Sequence, residues 1–295
     1  MCQDLRYALR QCRKSPGFTA VVVLTLALGL GANTAIFGIV NATFLRALPY
    51  PEPDRLVQVF EVSRQWPQMN VSYPNYKDLE AVQDVFSGLA IFRPCSLKLE
   101  TPIGTERADV GYVSADFFRI LGVRAALGRD LAPDDDREGA APAAWIGHAL
   151  WQHAFAGAAD VVGRTVLLDG EPVTVAGILP ESFRFHQQME VVVPIAPYAE
   201  RMFLKMRVNH NNTSVIARLR PGVTLEAART QVVSVSARLA QDYPKENAGI
   251  SAGVASLHSQ FTGSARCNLL LLFGAVAMIL LIACVNIANM LLARA

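Results

Sequence analysis

Histidine is the side chain best suited to acid–base or metal chemistry near neutral pH, and this chain of 295 residues has five: His148, His153, His186, His210 and His258. Only His148 and His153 share a helical pattern. They are five positions apart, about 140° around a helix, so they cannot grip one metal as an i, i+4 pair would. Each histidine is read as structural or superficial. Asp134-Asp135-Asp136 has the charge to attract calcium but lacks the rest of a ligand loop, and reads as a solvated turn. There is no Gly-x-Ser-x-Gly elbow and no His-Glu-x-x-His. No Gly-x-x-x-x-Gly-Lys-Ser/Thr occurs, and none of the five lysines follows a glycine, so the chain has no loop to cradle nucleotide phosphates. Gly29-Leu30-Gly31 begins like a dinucleotide fingerprint, but Thr34 stands where the third glycine belongs. The sequence thus predicts no catalytic residue, no cofactor and no metal.

What would have to be positioned is therefore not a reaction centre, and the distribution of charge points elsewhere. Apolar residues make up 52% and charged ones 18%, which excludes disorder by composition. A net charge of +2 is far too small for a nucleic-acid binder. Yet residues 18–45 and 267–293 carry no charge at all, where an even spread would place about ten charges. Each segment exceeds the ~20 apolar residues that cross a bilayer, and neither contains proline. Both are read as transmembrane helices.

Residues 1–17 hold Arg6, Arg10, Arg13 and Lys14 against Asp4, the excess that keeps a flank in the cytoplasm. Leu5, Leu9 and Cys12 form a stripe beside those arginines, so this segment is read as an amphipathic helix on the cytoplasmic membrane surface. Residues 46–266 then lie outside, with 22 basic and 24 acidic side chains. A cleaved secretory signal is the alternative for the first span, though its apolar run is about twice the usual signal core. Cys95 is alone in the outer region, so that region has no internal disulfide and depends on its core. Within the spans, Ala27, Gly31 and Ala35 recur every fourth residue, a small-residue stripe along which another helix can approach. Asn33, Asn286 and Asn289 are the polar exceptions, and the last two share a face that should meet a helix and not lipid.

The outer region reads as α+β, in two lobes. Leu56 to Val62 alternates as a strand, Pro74 to Val82 reads as a short helix, and Phe86 to Phe92, Ser96 to Glu100 and Arg107 to Val113 as further strands. Ala115 to Leu121 reads as a helix closed by Gly122, and Ala143 to Phe155 as another ended by Gly157. Asp169-Gly170 joins Thr165–Leu168 to Val173–Ala176 as a hairpin. Strands follow at Val191–Ile195 and Ser214–Leu219. The last helix is capped by Thr224 and packs Leu225, Ala228, Val232, Val235 and Leu239.

The terminal blocks carry a resemblance. Asp4-Leu5-Arg6-Tyr7-Ala8-Leu9-Arg10, Lys14-Ser15-Pro16-Gly17-Phe18-Thr19 and residues 26–37 resemble the start of MacB/FtsX-type ABC transporter permeases, nearest to the duplicated permeases of acidobacteria. Leu48-Pro49-Tyr50-Pro51, Val162-Gly163-Arg164-Thr165, residues 217–224 and residues 281–294 continue it. The resemblance implies a MacB-like periplasmic core domain between two spans of an inner-membrane protein. It implies an ABC ATPase acting in trans, with other permease helices, a second permease copy and a periplasmic protein as further partners, and lipid around the helices. Such permeases transmit the ATPase stroke to the outer domain in export or envelope signalling. The family unit has four spans, or eight when duplicated, so the expectation is a permease subunit or the N-terminal part of one. A membrane-anchored binding or adaptor protein without transport is the alternative. A tethered hydrolase is the third reading, disfavoured by the missing catalytic constellation.

Overall fold

The structure is a computed structural model that describes residues 48–82, 84–185, 188–210 and 212–292, with helical positions 17, 19, 20, 23, 24, 27, 29–31, 34, 35 and 38. Side chains at 82, 262–270, 283, 286, 287, 290 and 291 lie outside the described set. The amphipathic reading of residues 1–17 falls outside it too, Gly17 excepted. The chain divides into two compact units, Leu48–Phe261 and Met1–Ala47 with Thr262–Ala295.

In Leu48–Phe261, ten strands form one sheet in the order β10-β1-β9-β2-β3-β8-β5-β7-β4, with β6 paired to β2 and β7. The strands are β1 (Leu56–Val62), β2 (Phe86–Thr101), β3 (Gly104–Val113), β4 (Leu127–Gly128), β5 (Ala143–Ile146), β6 (Thr165–Leu168), β7 (Glu171–Ile178), β8 (Val191–Pro194), β9 (Ser214–Leu219) and β10 (Ser251–Ser256). The helices are α1 (Tyr73–Val82), α2 (Asp116–Leu121), α3 (His148–Phe155), α4 (Leu225–Asp242), α5 (Pro244–Asn247) and α6 (Leu257–Leu292). An α+β domain was expected and is found, but its two lobes are one continuous sheet. The reason is β2. Phe86 to Phe92 pair with β9, and Phe92 to Thr101 pair with β3, so the two predicted strands are a single one of 16 residues. Pro94 lies just past the last β9 pair, where its missing N–H forfeits little.

Alternation along the strands fills two cores, one on each face. Val57, Val59, Leu89, Ile91, Val215 and Ala217 face one way, under Tyr76 and Leu79 of α1, Leu150 and Ala154 of α3, and Ala228, Val232, Val235 and Leu239 of α4. Leu56, Ala90, Phe92, Val113 and Ile216 face the other, under Phe117, Phe118, Ile120 and Leu121 of α2. Thr224 caps α4 as its type and place require, its Oγ1 accepting the Ala227 N–H at 3.2 Å. The β6–β7 turn has Asp169 at φ 54° and Gly170 at φ 83°, the two positive angles of a primed hairpin turn.

The helix predicted for Ala143–Phe155 is corrected: Ala143–Ile146 is a strand and only His148–Phe155 is helical. All four β5 residues are buried, between β7 and β8, and a short run that is apolar on every side has no period to tell strand from helix. The Trp145 indole N–H donates to the Arg129 carbonyl at 2.7 Å, which fixes the ring in this strand setting.

In the other unit, every described position from 17 to 38 is helical, and α6 runs to Leu292. Counted over the described residues, no helix is long and apolar enough to cross a membrane.

Candidate functional site

The Leu-Val-Gln-Val-Phe-Glu-Val pattern of β1 puts Glu61 on the same face as Val57 and Val59, so a carboxylate occupies a core position. It is 3% exposed. A buried carboxylate is costly unless its oxygens are answered, and three elements bring polar groups around it here. From α1, Asn75 Nδ2 donates to Glu61 Oε1 at 2.7 Å. From α5, Asn247 forms a reciprocal amide pair with Asn75, at 3.1 and 3.2 Å. The segment 199–213 brings Arg207, which donates to Asn75 Oδ1 and to Asp78 Oδ2, the latter at 2.7 Å. Its guanidinium stacks 3.6 Å from the centre of the Tyr243 ring. The same segment brings His210, whose Nδ1 lies 3.0 Å from Glu61 Oε2 and 3.1 Å from the Asn70 carbonyl.

Both neighbours of Nδ1 are acceptors only, so Nδ1 must carry a hydrogen. The hydrogen bond to Glu61 raises the His210 pKa above its ordinary value; burial opposes this, and the Glu61 charge and Asn70 carbonyl add to it. A carboxylate beside an imidazole can serve general-base catalysis. Here the adjoining void, lined by Glu61, Asn75, Ser236 and Asn247, measures only about 10 Å³, room for about one water. The arrangement can hold a proton and fix a loop; it cannot admit a substrate. Sequence reading missed this cluster, although Glu61 on the apolar phase of β1 was its visible signal.

A second concavity, of about 560 Å³, lies between the start of α3 and residues 179–190, lined in part by His148, Phe183, Arg184, Gln188 and Glu190. His148 is half-buried, edge-on to Trp151 at 5.4 Å, and His153 is exposed. His186 lies outside the described residues. The three aspartates diverge instead of converging. Asp136 accepts from the Ala115 N–H at 2.9 Å and the Ala196 N–H at 2.8 Å, pinning two loops. Burial raises its pKa, against the pull of these two N–H groups. Asp135 pairs with both terminal nitrogens of Arg129 at 2.6 Å. Burial would raise its pKa, but the Arg129 hydrogen bond, the Ala132 N–H and the Arg129 charge together lower it. Asp134 is 82% exposed beside Arg137. Among the described residues no three His, Cys, Asp or Glu side chains are grouped to hold a metal. The solvated-turn reading thus fits Asp134, while Asp136 is a half-buried tie.

Of the predicted helix-packing residues, Ala27, Gly31 and Ala35 are exposed, and nothing lies within 4 Å of where a Cβ would stand on Gly31. At Gly29 a Cβ would meet Leu280 Cδ1 of the same unit at 3.0 Å. Asn289 is exposed; Asn33 and the Asn286 side chain fall outside the described residues.

Solved structures share the fold. A domain assigned to a permease protein from Porphyromonas gingivalis superposes with a TM-score of 0.55 at 15% identity, over 71% of this chain and 92% of that one. The periplasmic region of MacB from Actinobacillus actinomycetemcomitans gives 0.52 at 14% identity, over 72% and 92%. No curated protein matches the chain. Residues 19–235 match the family model described as the MacB-like periplasmic core domain. That match spans well over half of the sequence, and with the sheet and its topology it makes the chain a member of the MacB-like periplasmic core domain family, carrying the extracytoplasmic domain of a MacB-like permease.

Proposed function

We propose that this protein is a permease subunit of an ABC-type transporter. ATP hydrolysis by a partner ATPase drives conformational work on the outer domain, in export or in signalling across the envelope. The uncharged segments 18–45 and 267–293 are its spans, the N-terminus is cytoplasmic, and the domain between them faces the periplasm. The small stripe at Ala27, Gly31 and Ala35, with Asn33, Asn286 and Asn289, serves contacts to other permease helices or to a second copy. The chain performs no reaction of its own: work enters from the ATPase and leaves as movement. The observation that carries this reading is the family match from residue 19 to residue 235, which begins inside the first uncharged segment.

Affinity purification of the detergent-solubilised full chain from its host should recover an ABC ATPase. Repeated recovery of the folded protein without one would favour the membrane-anchored binding or adaptor protein instead.

A further inference from the structure

We infer that Glu61 and His210 form a proton-controlled latch that holds the segment 199–213 against β1 and α1. Among the described residues Glu61 Oε2 has no hydrogen-bond partner of ordinary geometry, and His210 Nδ1, 3.0 Å away, is its ion-pair contact. The remaining charges around the pair are spoken for. Arg207 is engaged with Asp78 and Asn75, and among the described residues α5, α4 and the 63–72 loop bring the Asn247 amide, the Ser236 hydroxyl and the Asn70 carbonyl. Tyr243 lies under the Arg207 guanidinium. A proton on Nε2 therefore decides whether the buried carboxylate faces a cation or a neutral ring, and the second state leaves its charge uncompensated.

Besides Arg207, which ties the segment to α1 and Tyr243 whatever the pH, its other ion pairs are weak. Arg201 to Glu171, and Lys205 to Glu138 and Glu200, are exposed pairs, which contribute little. Leu204 is buried, and Thr213 donates to the Val71 carbonyl at 2.7 Å. Between these anchors Phe203, Met206 and Val208 stand 69%, 53% and 57% exposed. Loosening the latch therefore changes how an apolar strip is presented on the domain. The sign follows from the raised His210 pKa: the stabilisation is complete below the ordinary histidine value of about 6.5 and is lost as pH rises through the elevated one. The latch closes in acid and loosens in alkali. It acts within the outer domain and does not depend on transport.

Hydrogen–deuterium exchange of the full chain in detergent, at about pH 5.5 and about pH 8.5 with exchange times scaled to the intrinsic rate, tests this. Peptides from 199–210 should lose protection several-fold at the higher pH, while peptides from β2 and β3 keep theirs. His210→Asn, which keeps a donor at the Nδ1 place but cannot titrate, should flatten the dependence, and so should Glu61→Gln. Equal protection of 199–210 at both pH values in the wild type overturns the proposal, as does a loss shared equally with β2 and β3. A folded His210→Asn protein that follows the wild-type pH dependence also overturns it. Should either variant fail to fold, the wild-type comparison decides by itself.

Discussion

On the α2 face of the sheet, six phenylalanines, Phe92, Phe117, Phe118, Phe183, Phe185 and Phe261, meet edge-on or tilted with ring centres 5.1 to 5.8 Å apart. On the α1 and α4 face, at the β1 end, the interior instead holds Glu61, Asn75 and Asn247, each nearly sealed from water. The ring cluster is held by dispersion and by the apolar area it removes from water, and tolerates small shifts at a graded cost. The polar cluster is held by paired donors and acceptors, and leaving one more buried polar atom unanswered costs about 1–3 kcal/mol. One sheet thus has a face whose strength ignores protons and a face whose strength depends on them.

Three substitutions bear on that contrast. Phe117→Ala empties a fully buried site among three other rings and should cost about 3–5 kcal/mol. Thermal denaturation should show the same loss at acid and neutral pH; a pH-dependent loss would erase the distinction. Asn247→Ala strips both amide bonds from Asn75 and should cost about 1–3 kcal/mol in chemical denaturation. A negligible change would mean that water replaces the amide without penalty. Thr224→Ala touches neither cluster and removes only the α4 cap, for about 1 kcal/mol, which sets the scale of a purely local loss.

Much of this architecture can be read in the residues, and the failures have causes. β1, the Asp169-Gly170 hairpin and the Thr224-capped helix follow from alternation, turn chemistry and capping, all of which act over a few neighbours. β5 was misread because a strand buried on both sides has no polar phase. β10 went unseen because Ser251–Ser256 is built from small residues. Its smallness is imposed from across the sheet, since a Cβ on Gly253 would stand 2.6 Å from the Phe60 ring. The polar cluster was the least legible part. Glu61, Asn75, His210 and Asn247 come from four places in the chain, and only the folded sheet brings them within reach of one another. The aspartate run shows the converse: three adjacent carboxylates suggest one site, yet the backbone aims them at three different partners.

β2 has a mechanical meaning for this domain. Its 16 residues span about 50 Å, and Phe92 is its crossover point, paired to Ser214 of β9 on one edge and to Val113 of β3 on the other. The two halves of the sheet are joined as in a lap joint. A tug applied along β9 must pass through the covalent backbone at Phe92 before it reaches β3, where ten register pairs share the shear at once. Such a seam resists sliding far better than peeling, so the domain should swing as a whole before its halves part.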